Sequence, residues 1–364
     1  MTKVLFENHH LYYLPNFIPI IKEMRQRGQY EISASIPSMM DEKEKVIFHS
    51  VCQNLDIETI SDVAEESRIH LLREKAFDVV VVGNVGQLKP IVHDHTMAVM
   101  VYHGIGLKQS YYNDIDERID LRAVESESRL LELKSHGHKN LVLTGFTKCD
   151  PLVSMTNSKE VSLEKFGLNP NHKTVLYAPS FYPSSLDKLE SILGKVSFEI
   201  NIIIKLHNFS WYQERYIYQS EKMQKLANKF PNIYLAPPEE YNIIPYYSAS
   251  DLLLSDISST MFEYLYLNRP IIMAECITLR LKHQILKKRF LKKMDVERME
   301  NIDFSFRFDN PDDLPALVYH GLEYPSDLES ERLIAQKEYL FKVDGQASIR
   351  LVDAIEIKLT GKSR

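Results

Sequence analysis

Short, uninterrupted apolar runs recur along this chain, each followed by a stretch of helical periodicity, and that alternation restricts the fold more than any other feature. Strands are expected at Lys3 to Glu7, Tyr30 to Ile36, Ile57 to Ile60, Val79 to Val82 and Met97 to Tyr102, with shorter ones at Arg122 to Glu125 and Leu141 to Leu143. Helices are expected between them, at Pro15 to Arg27, Asp41 to Leu55 and Ala64 to Lys75. A strand that is apolar on both faces must be covered on both, which helices do when the strands pair in parallel. A polar stretch rich in Ser, Thr, Asn and Lys covers 151 to 173, and then the pattern restarts. Thr174 to Ala178, Ile200 to Lys205, Ile233 to Leu235, Leu252 to Leu254 and Ile271 to Met273 read as strands. Leu186 to Lys195, Gln213 to Lys229 and Thr260 to Leu267 read as helices, and Glu329 to Leu359 is helical apart from a break at Asp344-Gly345. At 364 residues the chain exceeds what one core usually supports. The expected class is α/β with two Rossmann-like domains, 1–155 and 156–345, and a C-terminal helix at 346–364. The carboxyl ends of their strands would face a central cleft, where open α/β sheets bind ligands.

Net charge of −6 excludes the basic footprint of a general nucleic-acid binder, so any phosphate site must be local. Cys52, Cys149 and Cys276 are widely spaced and odd in number, which fits reduced thiols and a cytoplasmic location better than disulfides or a zinc site. No run approaches the ~20 apolar residues of a membrane span, and the N-terminus lacks the apolar segment of a signal peptide. Attachment to a membrane surface stays open.

The residues able to do chemistry cluster at expected strand ends. His9 and His10 follow the first strand. His103 follows Met97 to Tyr102 and leads into Gly104, Ile105, Gly106, Leu107 and Lys108. An imidazole there can take a proton from an alcohol near neutral pH, and the glycines permit close backbone approach to a ligand; a turn histidine bonded to a carbonyl is the alternative. Lys205 and His207 place a cation and an imidazole at another strand end, suited to neutralising phosphate, although a surface lysine and a packed histidine fit equally. Ser255, Asp256, Ser258 and Ser259 form a polar turn between a strand and a helix, with Glu263 one turn on. Unpaired N–H groups and hydroxyls at a helix start suit a pyrophosphate. Asp256 is expected as the helix N-cap, and Glu263 either accepts from a ribose or faces solvent. The run from Arg280 to Lys293 mixes basic and apolar residues and reads as an anionic-membrane contact or as a solvated helix face. The chain has no HExxH, Walker lysine, Gly-x-Ser-x-Gly or paired-cysteine motif.

Taken together, Tyr102 to Lys108 (YHGIGLK), Leu143 to Asp150 (LTGFTKCD), Val175 to Phe181 (VLYAPSF), Lys205 to His207 (KLH), Tyr241 to Ile272 and Asp344 to Ile355 (DGQASIRLVDAI) resemble the CDP-glycerol glycerophosphotransferases of teichoic acid and related surface-polymer synthesis. The Asp-x-Ser-Ser-x-x-x-Glu block from Asp256 to Glu263 is the most specific of these. The resemblance implies the two-Rossmann architecture of B-type glycosyltransferases and transfer of glycerol phosphate from CDP-glycerol to an acceptor hydroxyl, releasing CMP. It implies His103 as general base, His207 at the donor phosphates, Ser258 and Ser259 at the pyrophosphate and Glu263 at the ribose, while the residue reading adds Lys205, Ser255 and Asp256 to the donor side. Gly104, Lys108, His9 and His10 fall on the acceptor side. No cofactor is expected, though a divalent metal is compatible with the chemistry. The implied partners are a CDP-alcohol and a polyol-phosphate, lipid-linked or oligosaccharide acceptor, with peripheral contact at the inner face of the membrane through 280–293 and no nucleic acid. This chain departs from the family where Lys205-Leu206-His207-Asn208 replaces Arg-x-His-Pro, and after Ile272, where the usual Arg-Gly-Tyr and Pro-Gly-Pro elements are missing. CDP-ribitol, a nucleotide sugar used by a B-type glycosyltransferase, and a silent nucleotide- or polymer-binding relative are the alternatives.

Overall fold

The computed structural model describes residues 1–86, 88–105, 116–155, 163–280, 283 and 296–362. Two parallel sheets organise the chain, as the alternation requires. The first runs β3-β2-β1-β4-β5-β6-β7, from β1 (Thr2–Glu7), β2 (Tyr30–Ser35), β3 (Glu58–Ile60), β4 (Val79–Val82), β5 (Met97–Val101), β6 (Leu121–Val124) and β7 (Leu141–Leu143). The second runs β10-β9-β8-β11-β12-β13, from β8 (Lys173–Ala178), β9 (Ile200–Ile204), β10 (Ile233–Leu235), β11 (Leu252–Ser255), β12 (Ile271–Ala274) and β13 (Phe306–Phe308). All paired strands are parallel, with Val4 opposite Val79 in one sheet and Leu252 opposite Val175 in the other. Every residue of β4, β5 and β9 is buried, which explains why these strands lack polar alternation. The α/β class and the two Rossmann-like sheets expected from the sequence are what the structure has.

Each sheet anchors a compact unit. The second unit is built mainly from Leu152–Lys337, and the first takes Met1–His103, the chain up to Pro151, and Glu338 onward. In both, the strand order reverses beside the first strand, between β1 and β4 in one and between β8 and β11 in the other. Loops leaving the carboxyl ends of such neighbours diverge and open a ligand crevice.

Two motifs quoted above as family-like serve the fold of the first unit. Asp150 accepts from the backbone N–H groups of Ala347 and Ser348, at 3.0 and 2.8 Å, and from Ser348 Oγ, so it caps the C-terminal helix Ala347–Lys362 from outside. Arg350 in that helix donates to the Thr144 carbonyl and pairs with Asp344. Gly145, at φ +91°, lies where a Cβ would come within 2.8 Å of the Phe341 carbonyl oxygen. The helices Glu127–Ser135 and Leu314–Glu323 and the edge strand β13 escape the sequence reading, and the helix expected at Gln213 to Lys229 begins only at Tyr218. In β13 an exposed Arg307 interrupts the apolar run that marks the other strands.

Candidate active site

In the first unit, His9 and His10 leave β1, Gly83 and Asn84 leave β4, and His103 follows β5. These strands are neighbours in a parallel sheet, so the residues share its carboxyl edge. His103 Nδ1 lies 3.3 Å from the Gly83 carbonyl, which can only accept, so Nδ1 carries the proton and the neutral imidazole has its basic lone pair on Nε2. Rings hold this imidazole in place, Tyr13 at 4.9 Å and Tyr12 at 5.3 Å between centroids. Tyr13 is fixed in turn by Asn84 Nδ2, which donates to its hydroxyl at 2.6 Å.

His9 belongs to a buried ionic network. Its Nδ1 donates to Asn84 Oδ1, an oxygen identified by the Gly86 N–H that also donates to it, and its Nε2 lies 3.6 Å from Glu7 Oε1. Glu7 and Arg68 are wholly buried and paired at 2.9 Å, with Glu65 on the other side of the guanidinium. Burial pushes the Glu7 carboxyl up, but His9, Arg68 and Ser35 outweigh it and hold it below the usual carboxylate range. His10 stacks on Tyr12 at 4.9 Å. Burial, with the charge of neighbouring His9, pushes its imidazole down to about 4, so it is neutral at ordinary pH. Gly104 is buried, and Lys108 lies outside the described residues.

In the second unit the carboxyl edge carries the segment after β8, Lys205 to His207 after β9, and the turn after β11. His207 shows the opposite tautomer to His103. Its Nδ1 accepts from the Phe209 backbone N–H at 3.1 Å, which puts the proton of the neutral ring on Nε2 as a donor. Phe181 packs on this imidazole at 4.7 Å and Phe209 at 4.9 Å. Lys205 is buried, with Nζ donating to the Leu206 carbonyl at 3.1 Å.

The turn after β11 divides into two kinds of residue. Ser255 and Asp256 are fully buried and hydrogen-bonded within the protein. Ser255 Oγ donates to the Ala178 carbonyl at 2.6 Å. Asp256 accepts four bonds of 2.6–2.9 Å, from the backbone N–H and hydroxyl of Ser180 and of Ser185. Burial pushes its carboxyl above the usual range, and the four donors pull the other way. Asp256 is therefore the clasp of the 180–185 loop and not the helix N-cap, which is Ser259. Ser258 and Ser259 are half-buried; Ser258 Oγ accepts from the Thr260 N–H, and Ser259 Oγ donates to Glu263. Glu263 is fully buried and also accepts from Tyr247 Oη at 2.9 Å, which overturns the solvent-facing alternative. The helix behind the turn is short, Thr260–Tyr264 continuing into a 3-10 turn at Leu265–Leu267, so hydroxyls more than a long dipole equip this site.

Of the run from 280 to 293, only Arg280 and His283 are described. Arg280 lies over the rings of Tyr182 and Tyr216, at 4.3 and 5.1 Å. Sequence reasoning missed Tyr182 and Tyr216, along with Tyr12, Tyr13, Gly83 and Asn84 of the first unit. The only signal for them was the aromatic density beside the strand ends, which core packing produces equally well.

The family model described as CDP-Glycerol:Poly(glycerophosphate) glycerophosphotransferase matches residues 4–357. No curated protein sequence matches the chain. Among solved structures, the wall teichoic acid polymerase TagF, in a variant soaked with CDPG, is similar with a TM-score of 0.72 at 16% identity, over 100% of this chain and 90% of that one. A putative UDP-N-acetylglucosamine 2-epimerase from Listeria monocytogenes gives 0.65 at 14% identity, over 98% and 96%. UDP-GlcNAc 2-epimerase from Neisseria meningitidis bound to UDP-GlcNAc gives 0.62 at 15%, over 98% and 100%. At these identities the likeness is one of fold, whereas the family match spans nearly the whole sequence, and on that ground this chain belongs to the CDP-glycerol:poly(glycerophosphate) glycerophosphotransferase family.

Proposed function

We propose that this enzyme moves a glycerol phosphate, or a related polyol phosphate, from a CDP-linked donor to a hydroxyl of a cell-surface polymer or its lipid-linked precursor, releasing CMP. The observation that carries this reading is the opposite tautomers of the two histidines: His103 Nδ1 donates to the Gly83 carbonyl, whereas His207 Nδ1 accepts from the Phe209 N–H. Transfer needs one of each. The acceptor hydroxyl attacks the β-phosphorus in line while its proton passes to His103 Nε2. The new O–P bond forms as the bond from the β-phosphorus to the bridging oxygen breaks, and CMP leaves with the electron pair. His207, Lys205, Ser258 and Ser259 bear the developing charge on the phosphates, in a reaction governed by positioning and electrostatics.

Ser255, Asp256 and Glu263 act behind the contact residues by fixing the turn and the loop beside it. Gly104 lets the backbone approach the acceptor, and His9 and His10 line the acceptor side. No cofactor enters this scheme; a divalent metal, where one binds, would neutralise pyrophosphate charge. His103→Ala is expected to cut CMP release by about 10²–10⁴-fold while CDP-glycerol still raises the thermal midpoint. A wild-type rate removes His103 from the chemistry, and release of a nucleoside diphosphate replaces phosphotransfer with glycosyl transfer.

Among the described residues no helix is long and apolar enough to cross a membrane. In this proposal a lipid-linked acceptor is met at the cytoplasmic face through the basic residues of 280–293. Neutralising Lys287, Lys288, Lys292 and Lys293 should abolish sedimentation with anionic but not neutral vesicles, and unchanged sedimentation overturns the docking.

A further inference from the structure

Arg280 is held in an unusual way for a cation near a ligand edge. Its guanidinium lies 4.3 Å over the Tyr182 ring and 5.1 Å over the Tyr216 ring, and donates to Tyr216 Oη. Its backbone N–H donates to Tyr182 Oη at 3.2 Å. Among the described residues no carboxylate pairs with it, in contrast to Arg307, which is paired with Glu275. Aromatic faces and a phenol orient a guanidinium without cancelling its charge, whereas a carboxylate would do both.

The segment that carries Arg280 is tied to the phosphate turn. The Thr278 N–H donates to the Ser184 carbonyl at 2.8 Å, and Ser184 lies within the loop that Asp256 clasps through Ser180 and Ser185. Tyr216 meets Phe181 at 5.1 Å, and Phe181 packs on His207 at 4.7 Å. Gln219 locks this stack, donating to the Phe181 carbonyl at 3.0 Å while accepting from Ser210 just beyond His207. A preoriented cation, unpaired with any carboxylate among the described residues, thus sits two rings, Tyr216 and Phe181, away from the His207 imidazole. All of these residues belong to the second unit.

We propose that Arg280 is an anion-binding residue of this edge and takes a phosphate oxygen of the nucleotide donor. The identity of the anion rests on the donor proposed above; the existence of the anion site does not. This gives Arg280 a task inside the site, where the sequence pattern had suggested the beginning of a membrane-facing run or of a solvated helix face.

The test is direct binding of inorganic pyrophosphate, CMP and CDP-glycerol to the full chain by titration calorimetry. Charge-assisted bonds to phosphate are strong enough that Arg280→Met should weaken pyrophosphate binding by about tenfold or more. Arg280→Gln keeps a planar group against the tyrosines and a donor for Tyr216 Oη but removes the charge, so it covers the case in which the methionine variant misfolds. It should lose binding to a similar extent, with its ligand-free thermal midpoint close to wild type. Wild-type affinity for pyrophosphate in Arg280→Gln overturns the proposal, and so does failure of the wild-type chain to bind any of the three. Arg280-dependent binding of pyrophosphate without binding of CMP or CDP-glycerol upholds the anion site and overturns the donor reading instead.

Discussion

Gly83 controls the base of the proposed reaction without touching a substrate. A Cβ added there would lie 2.8 Å from both Cδ2 and Cε2 of Tyr13 and 3.1 Å from its Cγ. Ordinary carbon contacts fall at about 3.5–4.0 Å, so the ring or the backbone must give way by close to 1 Å. The ring cannot swing out, because Tyr13 is 1% exposed and its hydroxyl is held by Asn84. Either movement reaches His103, which packs on Tyr13 and donates to the carbonyl of Gly83 itself. Overpacking of this kind costs about 1–3 kcal/mol of stability, and a displacement near 1 Å of a catalytic group costs on the order of 10²-fold in rate. The assay is CMP release from CDP-glycerol by Gly83→Ala, with the donor KM and the thermal midpoint measured on the same preparation. A fall in kcat with little change in donor KM is expected, since the proposed donor contacts belong to the second unit. A variant with wild-type kcat would refute the claim that Tyr13 and the Gly83 carbonyl position His103.

The Asp256 clasp predicts that Asp256→Asn leaves up to two of its four buried donors facing an amide NH₂ in place of an oxygen. At about 1–3 kcal/mol for each unsatisfied group, urea unfolding should show a loss of at least about 1 kcal/mol and up to about 6 kcal/mol, together with a raised donor KM; an unchanged midpoint would show that the clasp is dispensable. For His10, the folded value of about 4 lies below the ordinary 6.5, so the unfolded chain takes up a proton first as pH falls. Its contribution to stability is fully present above about pH 6.5, declines as pH falls toward 4, and then levels off. Urea midpoints measured from pH 4 to 7 should fall less steeply in His10→Asn than in wild type, and equal slopes would contradict this account.

Much of the fold was legible because the apolar alternation is local. Val79 to Val82 coincides with a strand as expected, since a strand buried on both faces needs only its own residues to declare it. Local sequence also marked the strand ends that carry His103, His207 and the Ser258–Ser259 turn. It could not reveal what each side chain does there. Asp256 looked like a helix cap because Asp before a helix usually is one; only the return of the 180–185 loop along the neighbouring strand shows that it holds that loop. The protonation of the two histidines follows the same rule. His103 is set by a carbonyl 20 residues away that arrives from β4, while His207 is set by the backbone two residues on, so neither tautomer is written in the residue type. Arg280 read as one cation in a basic run, and its pairing with Tyr182 and Tyr216 joins positions 98 and 64 residues apart. By itself the sequence determined the periodicity, and from it the parallel sheets and the edge at which chemistry collects, because strand pattern and helix pattern are properties of neighbouring residues. Tertiary structure alone decided which of the polar residues at that edge are tied into the protein and which are presented, because hydrogen-bond partners and charge environment depend on chain segments that only folding brings together.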